Sequence, residues 1–258
     1  MLLYRSVFSL LLALLVFALP QAQPKPGVCS NVWQNRTAEF EEYLRTAKVG
    51  KITDIPIGVL RPRRAYLTAG GLVESFAWKP IPPGVQNGYF ESYKSEIAAY
   101  ELDKLLGLNM VPVVVERRVD NDLGAAIMWI EGVRSWESVL PLPKPATWAF
   151  QLARMKMFDD LISNSDRNKG NLLVDADWHI YLIDHSRAFV TDMKLPQELQ
   201  NIDRRLWDRM LALDAAGLKT TMGTWLDGRQ IQALIRRRDA MKKKIDALVA
   251  KHGDTIFF

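Results

Sequence analysis

The stretch NSDRNKGNLLVDADWHIYLIDHSRAF, residues 164–189, limits the possible folds more than any other part of the chain. Two short apolar runs, NLLVD and IYLID, flank the turn formers ADWH, a pattern that predicts a tight antiparallel hairpin. Asn171 opens the first strand and Asp184 ends the second, so both side chains lie at one end of that hairpin. Asp166 stands five residues before Asn171, on the loop entering the hairpin, and reaches the same space. Magnesium takes oxygen ligands and binds through one or two protein side chains plus substrate phosphates, which an Asp and an Asn can supply. A further carboxylate held off the metal can accept the proton of an attacking hydroxyl. Singly, Asp166 and Asn171 also suit plain turn capping. Asp184 is harder to explain that way, because an unpaired carboxylate after an apolar strand is costly and a bound cation removes the cost.

The elements upstream can be read by the same rules. Residues 64–80 predict two strands around Gly70 and Gly71, the second ending at Lys79. After Pro82, Pro83 and Gly84, a helix follows with Ser92 as cap, Ile97, Tyr100 and Leu105 on its apolar face, and Gly107 as stop. MVPVVVERRV and AAIMWIEGV, joined by DNDLG, predict a second hairpin. A Pro-rich segment over 141–145 then leads into an amphipathic helix marked by Trp148, Leu152, Met155 and Ile162. The first half is therefore mostly strand with one helix, and the second mostly helix with one hairpin. No internal repeat is visible, which excludes solenoids and propellers.

Asp166, Asn171 and Asp184, in this order and spacing, resemble the catalytic loop and metal-binding residues of the protein-kinase-like superfamily. The wording NSDRNKGNLL followed by LIDHSRAF is similar to its atypical branches: the secretory-pathway casein kinase family, the spore-coat kinases, the HipA-type kinases and the phosphatidylinositol 4-kinases. The resemblance spans roughly residues 64–190. It implies an α+β, two-lobed fold, with an antiparallel sheet and one helix in an N-lobe over 31–140 and a mainly helical C-lobe over 141–258. It also implies ATP with magnesium or manganese as cofactors, Asp166 as catalytic base, and Asn171 and Asp184 as metal ligands. Lys79 becomes the phosphate-binding lysine, and Glu96, seventeen residues on, its ion-pair partner. Gly70 and Gly71 would cover the phosphates, and Met128, Trp129, Ile130 and Glu131 would border the adenine. Lys79 and Glu96 also fit an exposed strand-end lysine and a helix-start acid, and the two glycines a plain hairpin turn.

Some features depart from the superfamily pattern. Asn164 and Ser165 stand where ordinary protein kinases have His and Arg, His185 and Ser186 where they have Phe and Gly, and no Ala-Pro-Glu signature follows. Peptide recognition and activation-loop control are therefore not expected to carry over. His185, Arg187 and Phe189 read as local packing and salt bridging.

The remaining features bear on location and partners. Residues 1–23 combine Arg5, an apolar run from Val7 to Leu19, Pro20 and Ala22, a secretory leader pattern that predicts export to the periplasm or beyond and cleavage near Ala22. Residues 24–30 read as a linker, and Asn35–Thr37 as a glycosylation sequon in a eukaryotic host. Cys29 is the single cysteine, so no intrachain disulfide can form. The net charge of +5 favours anionic partners. Residues 228–251 predict a helix with Ile231, Leu234, Ile235, Met241, Ile245, Leu248 and Val249 on one face and Arg236–Arg238 and Lys242–Lys244 mostly on others. That basic run fits a solvated face or attraction to an anionic membrane surface; without a nucleic-acid motif, nucleic acid is not expected. Four functional readings remain open at this point: an exported kinase-like phosphotransferase acting on a hydroxyl acceptor, a catalytically silent nucleotide-binding relative, an AMP transferase on the same fold, and a structural membrane-surface protein working through its basic C-terminal helix. The acceptor and the oligomeric state are not encoded in any recognisable motif.

Overall fold

A computed structural model describes residues 33–55 and 62–258; the expected leader, linker and Cys29 lie outside the described residues. The chain opens with a helix that the sequence reading did not anticipate, α1 (Thr37–Thr46), and an equally unanticipated strand, β1 (Val49–Asp54). β2 (Arg63–Leu67) and β3 (Ser75–Lys79) form the first expected hairpin, followed by a small hairpin of β4 (Gly84–Gln86) and β5 (Tyr89–Glu91). Then come α2 (Tyr93–Leu106), β6 (Val114–Val119), β7 (Asp122–Met128), β8 (Arg134–Ser135) and the single turn α3 (Trp136–Val139). The second half comprises α4 (Thr147–Ile162), β9 (Leu172–Val174), β10 (Ile180–Leu182), α5 (Arg204–Leu211), α6 (Ala215–Met222) and α7 (Gly228–His252).

The first lobe is a five-stranded antiparallel sheet in the order β1-β2-β3-β7-β6. Successive side chains on a strand face opposite ways, and β3 uses both faces. Phe76 and Trp78 are buried in the core, whereas Ala77 and Lys79 point to the other side. α2 packs on β6 and β7, with Ile97, Tyr100 and Leu106 buried. Its ends follow their local chemistry: the Ser92 hydroxyl accepts the Lys94 N–H, and Gly107 closes the helix at φ +56°. Leu105, expected on the apolar face, is 45% exposed. Leu102 and Leu106, three residues before and one after, fill the packing surface instead.

In the second lobe α4 and α7 pack together, and the β9–β10 hairpin extends into a three-stranded sheet with β8. Because β8 pairs with β9, the chain joins this sheet at Arg134, ahead of the boundary expected at 140. A single hydrophobic core runs from Trp33 and Phe40 to Ile256 and joins the two lobes. The basic run on α7 divides in a way that periodicity alone did not reveal. Arg236 and Lys242–Lys244 are exposed, but Arg237 is fully buried, donating to the carbonyls of Leu161, Val190 and Asp192. A guanidinium can sit there because the ends of neighbouring segments present carbonyls that need donors.

Candidate active site

The site lies where the end of β3, the start of α2 and the loops around β9–β10 converge. Lys79, last residue of β3, donates to Glu96 Oε1 at 2.8 Å and to Asp184 Oδ1 at 2.7 Å. Glu96 is one turn into α2; its side chain is only 2% exposed, and its Oε2 accepts the backbone N–H of His185 at 2.9 Å. Burial disfavours both charges, but the pair outweighs it. Lys79 is held well above the ordinary lysine range by Glu96 and Asp184, and Glu96 well below the carboxylate range by Lys79 and His185. Asp184 is not in the strand itself: β10 stops at Leu182, and Asp184 adopts the left-handed conformation, φ +63°, that Asp tolerates better than most residues. This turn aims its carboxylate across the cleft at Lys79, with 41% of the side chain exposed.

Asp166 and Asn171 occupy the loop between α4 and β9. The Asn171 amide nitrogen donates to the Asp166 carbonyl at 2.9 Å, which turns the amide oxygen away from that contact. The loop is braced from beneath by Arg167, whose side chain is 2% exposed. Arg167 forms a forked ion pair with Asp159 and donates to the carbonyls of Asn171 (3.0 Å) and Ile183 (2.7 Å). It also donates to His185 Nε2 at 2.8 Å. An arginine can only donate, so Nε2 is the unprotonated nitrogen and His185 is neutral with its proton on Nδ1. Burial pushes its pKa down, in keeping with that form. Asn164 completes the brace by donating to Asp159 Oδ1 at 3.1 Å. One buried Arg–Asp pair thus ties the loop carrying Asp166 and Asn171 to the segment carrying Asp184.

The structure therefore brings Lys79, Glu96, Asp166, Asn171 and Asp184 together and leaves two glycines elsewhere. Arg63 pairs with Trp78 and Tyr66 with Ser75, so the Gly70–Gly71 turn sits beyond Ser75, at the opposite end of β3 from Lys79. Four residues of strand separate the ends, on the order of 13 Å. A Cβ on Gly71 would meet the Tyr43 side chain of α1, so the turn is a packing contact and not a cover for phosphates. The connection at the Lys79 end joins Asp54 to Arg63, and its residues 56–61 lie outside the described residues. Met128–Glu131 leaves β7 towards the second lobe, with the Trp129 N–H donating to the Ser75 carbonyl and Met128 and Ile130 buried. Arg64 lies over the Trp129 ring and pairs with Glu131. Sequence reasoning missed Glu91, Asp159 and Arg167, and read Arg187 as local packing and salt bridging without naming its partners, Glu91 and Asp166. A basic residue directly after Asp166 and another three after Asp184 were the available signals.

No family model matches the chain. One curated relative, the Mycobacterium tuberculosis protein Rv2133c, is 25% identical over 160 residues, covering 50% of this chain and 58% of that protein. Solved structures agree more widely. Hydra Fam20, determined with sugar, superposes with a TM-score of 0.67 at 15% identity, covering 86% of this chain and 91% of its own. A Golgi casein kinase with Mn and ADP bound gives 0.64 at 15% identity, over 85% and 78% of the two chains. The fold is protein-kinase-like. The Helicobacter pylori proinflammatory kinase CtkA matches more loosely, at 0.53 and 12% identity, over 81% of this chain and 97% of that one. The superpositions agree with the α+β make-up of a sheet-bearing first lobe and a helical second lobe.

Proposed function

We propose that this chain is an ATP-dependent phosphotransferase that moves the terminal phosphoryl group to a hydroxyl acceptor, acting after export. The observation that carries the proposal is the Lys79 ammonium, held between buried Glu96 and half-exposed Asp184 in the same cleft as Asp166 and Asn171. The donor set suits a hard divalent cation. Asp184 and the Asn171 amide oxygen are two oxygen ligands, and among the described residues no group of three or more His, Cys, Asp or Glu forms a complete cage. That is the arrangement expected of magnesium or manganese shared with substrate phosphates. The ion would neutralise phosphate charge during transfer.

The residues of the chain account for the other requirements. Lys79 would offer its charge to the phosphates with Glu96 keeping the ammonium in place, and Asp184 would be the residue to hold the metal. Asp166 accepts the acceptor's proton while its oxygen forms the new bond to the terminal phosphorus, and the bond from that phosphorus to the bridging oxygen breaks, leaving ADP. The Golgi casein kinase solved with Mn and ADP supports nucleotide and metal as the ligands of such a cleft. Export rests on the leader pattern of residues 1–23.

The test is a thermal-shift titration of the purified protein with ATP and Mn, followed by incubation with ATP labelled at the terminal or the α-phosphate. Wild type is expected to be stabilised, Asp184→Ala is not, and only the terminal label is transferred. Absence of a shift in wild type, or an equal shift in Asp184→Ala, would refute nucleotide–metal binding at this cleft. Transfer of the α-label would convert the activity to AMP transfer, and binding without any transfer would leave a silent nucleotide binder.

A further inference from the structure

Arg187 lies three residues past Asp184, outside every regular element, and its guanidinium joins the two lobes. On one side its Nε and Nη2 each stand 2.9 Å from Glu91 Oε1, at the end of β5 in the first lobe. On the other its Nη1 donates to Asp166 Oδ2 at 3.1 Å, in the second lobe. The Tyr89 ring closes the third side, 4.4 Å from the guanidinium carbon. Tyr89 and Glu91 are two residues apart on β5 and so share the face turned to Arg187.

The bond falls on one particular oxygen of Asp166. The main chain of that residue is already pinned, its N–H donating to Asn164 and its carbonyl accepting from Asn171 and Asn168. What remains free is rotation of the side chain, and Arg187 restrains it by engaging Oδ2, a contact that leaves Oδ1 to other partners. Glu91 does the corresponding work for Arg187. It is fully buried, and its Oε2 has no hydrogen-bond partner among the described residues, so the ion pair with Arg187 is what makes that burial tolerable. A carboxylate buried at such cost holds the arginine in one place.

We propose that Arg187 is a positioning residue for phosphoryl transfer: anchored by Glu91, it fixes the Asp166 carboxylate with Oδ1 facing the acceptor hydroxyl. This rests on the reading of Asp166 as the proton acceptor. It assigns the β4–β5 hairpin, between the lysine strand and the glutamate helix, the task of setting the base from the opposite lobe. Misplacing a catalytic group by about 1 Å costs on the order of 100-fold in rate, and that is the expected size of the effect.

The experiment measures turnover of terminally labelled ATP, with water or added envelope material as acceptor, together with the Kd for Mn·ADP and the melting temperature. Arg187→Met is expected to lower kcat roughly 100-fold with the ATP KM changed less than about threefold, and Arg187→Lys to recover part of the loss. Arg187→Met alone leaves Glu91 buried and unpaired, so stability falls as well. The double variant Arg187→Met with Glu91→Gln separates the two effects, because it removes both charges. Its melting temperature is expected to return towards wild type while kcat stays low. Recovery of kcat in the double variant, or parallel loss of kcat and Mn·ADP binding in Arg187→Met, would overturn positioning in favour of a purely structural strut. Unchanged kcat in Arg187→Met would overturn it too, leaving the transferase reading intact. A wild type that binds Mn·ADP and turns over no ATP would refute the transferase reading itself, and the role of Arg187 with it.

Discussion

The two bonds of Lys79 look equivalent by length, at 2.8 and 2.7 Å, but burial makes their contributions to stability unequal. Glu96 is almost fully enclosed, with its side chain 2% exposed, whereas Asp184 is 41% exposed. In Lys79→Met the Glu96 carboxylate loses its ammonium and keeps only the His185 N–H, so an uncompensated charge stays in the core. Breaking a buried pair from one side costs about 3–5 kcal/mol. For a domain of this size each kcal/mol moves Tm by roughly 2–4 °C, so Tm is expected to fall by about 6–20 °C. Asp184→Asn leaves Lys79 its buried partner and removes only a solvent-screened contact, a loss of about 1 kcal/mol or less. Lys79→Met combined with Glu96→Gln should regain much of the loss, since no buried charge is left over. Urea denaturation without nucleotide or metal, over the four proteins, provides the numbers. Equal destabilisation by Lys79→Met and Asp184→Asn would refute the assignment of Glu96 as the structural anchor, as would a double variant no more stable than Lys79→Met. If the anchor holds, Asp184→Asn should be a folded protein that loses stabilisation by Mn·ATP, which separates holding the lysine from holding the metal.

Two further outcomes follow from the buried groups. Arg237→Met should lower stability by about 2–4 kcal/mol in urea denaturation, because it strips the donors from three carbonyls, while removal of exposed Lys243 should change little. His185 should draw stability down on acidification below about pH 6.5, the ordinary histidine value, against the opposite contribution of Asp103 and Asp160, whose carboxyls burial pushes up to about 7 and about 6. His185 is pushed down by burial, so below that pH the unfolded chain binds a proton that the folded chain refuses; stability is full above the unfolded pKa and is lost as pH falls. The slope is at most about 1.4 kcal/mol per pH unit for this one group, and the stability advantage of wild type over His185→Gln, followed between pH 7 and pH 5, should shrink as the pH falls.

Much of the site was legible because its signals are local. The hairpin of residues 172–182, the helix starting at Ser92 and the strand ending at Lys79 each follow from periodicity and capping within a dozen residues. Gly70 and Gly71 misled because a glycine pair marks a turn without saying which end of the sheet the turn occupies. That depends on the register of β2 against β3 and of β3 against β7. Arg237 misled for a related reason: a basic side chain in a polar stretch ordinarily faces solvent, and only the neighbours brought in by packing give it carbonyls to bind. The salt bridging expected of Arg187 is present, with partners that packing alone supplies. The helix α1 escaped notice since its apolar signal is sparse, with only Phe40 and Leu44 buried.

From its residue order alone the chain determined which groups could do chemistry and on what kind of element each would stand, because hydrophobic spacing, turn formers and caps act over short distances. Packing decided how they face one another. Lys79 and Asp184 are separated by 105 residues, Glu91 and Arg187 by 96, and contacts of that range exist only once the sheet has its register and the two lobes share one core. Which carboxylate is buried and which meets water, and so which one anchors and which remains free to bind, is a property of that enclosure and of no single stretch of sequence.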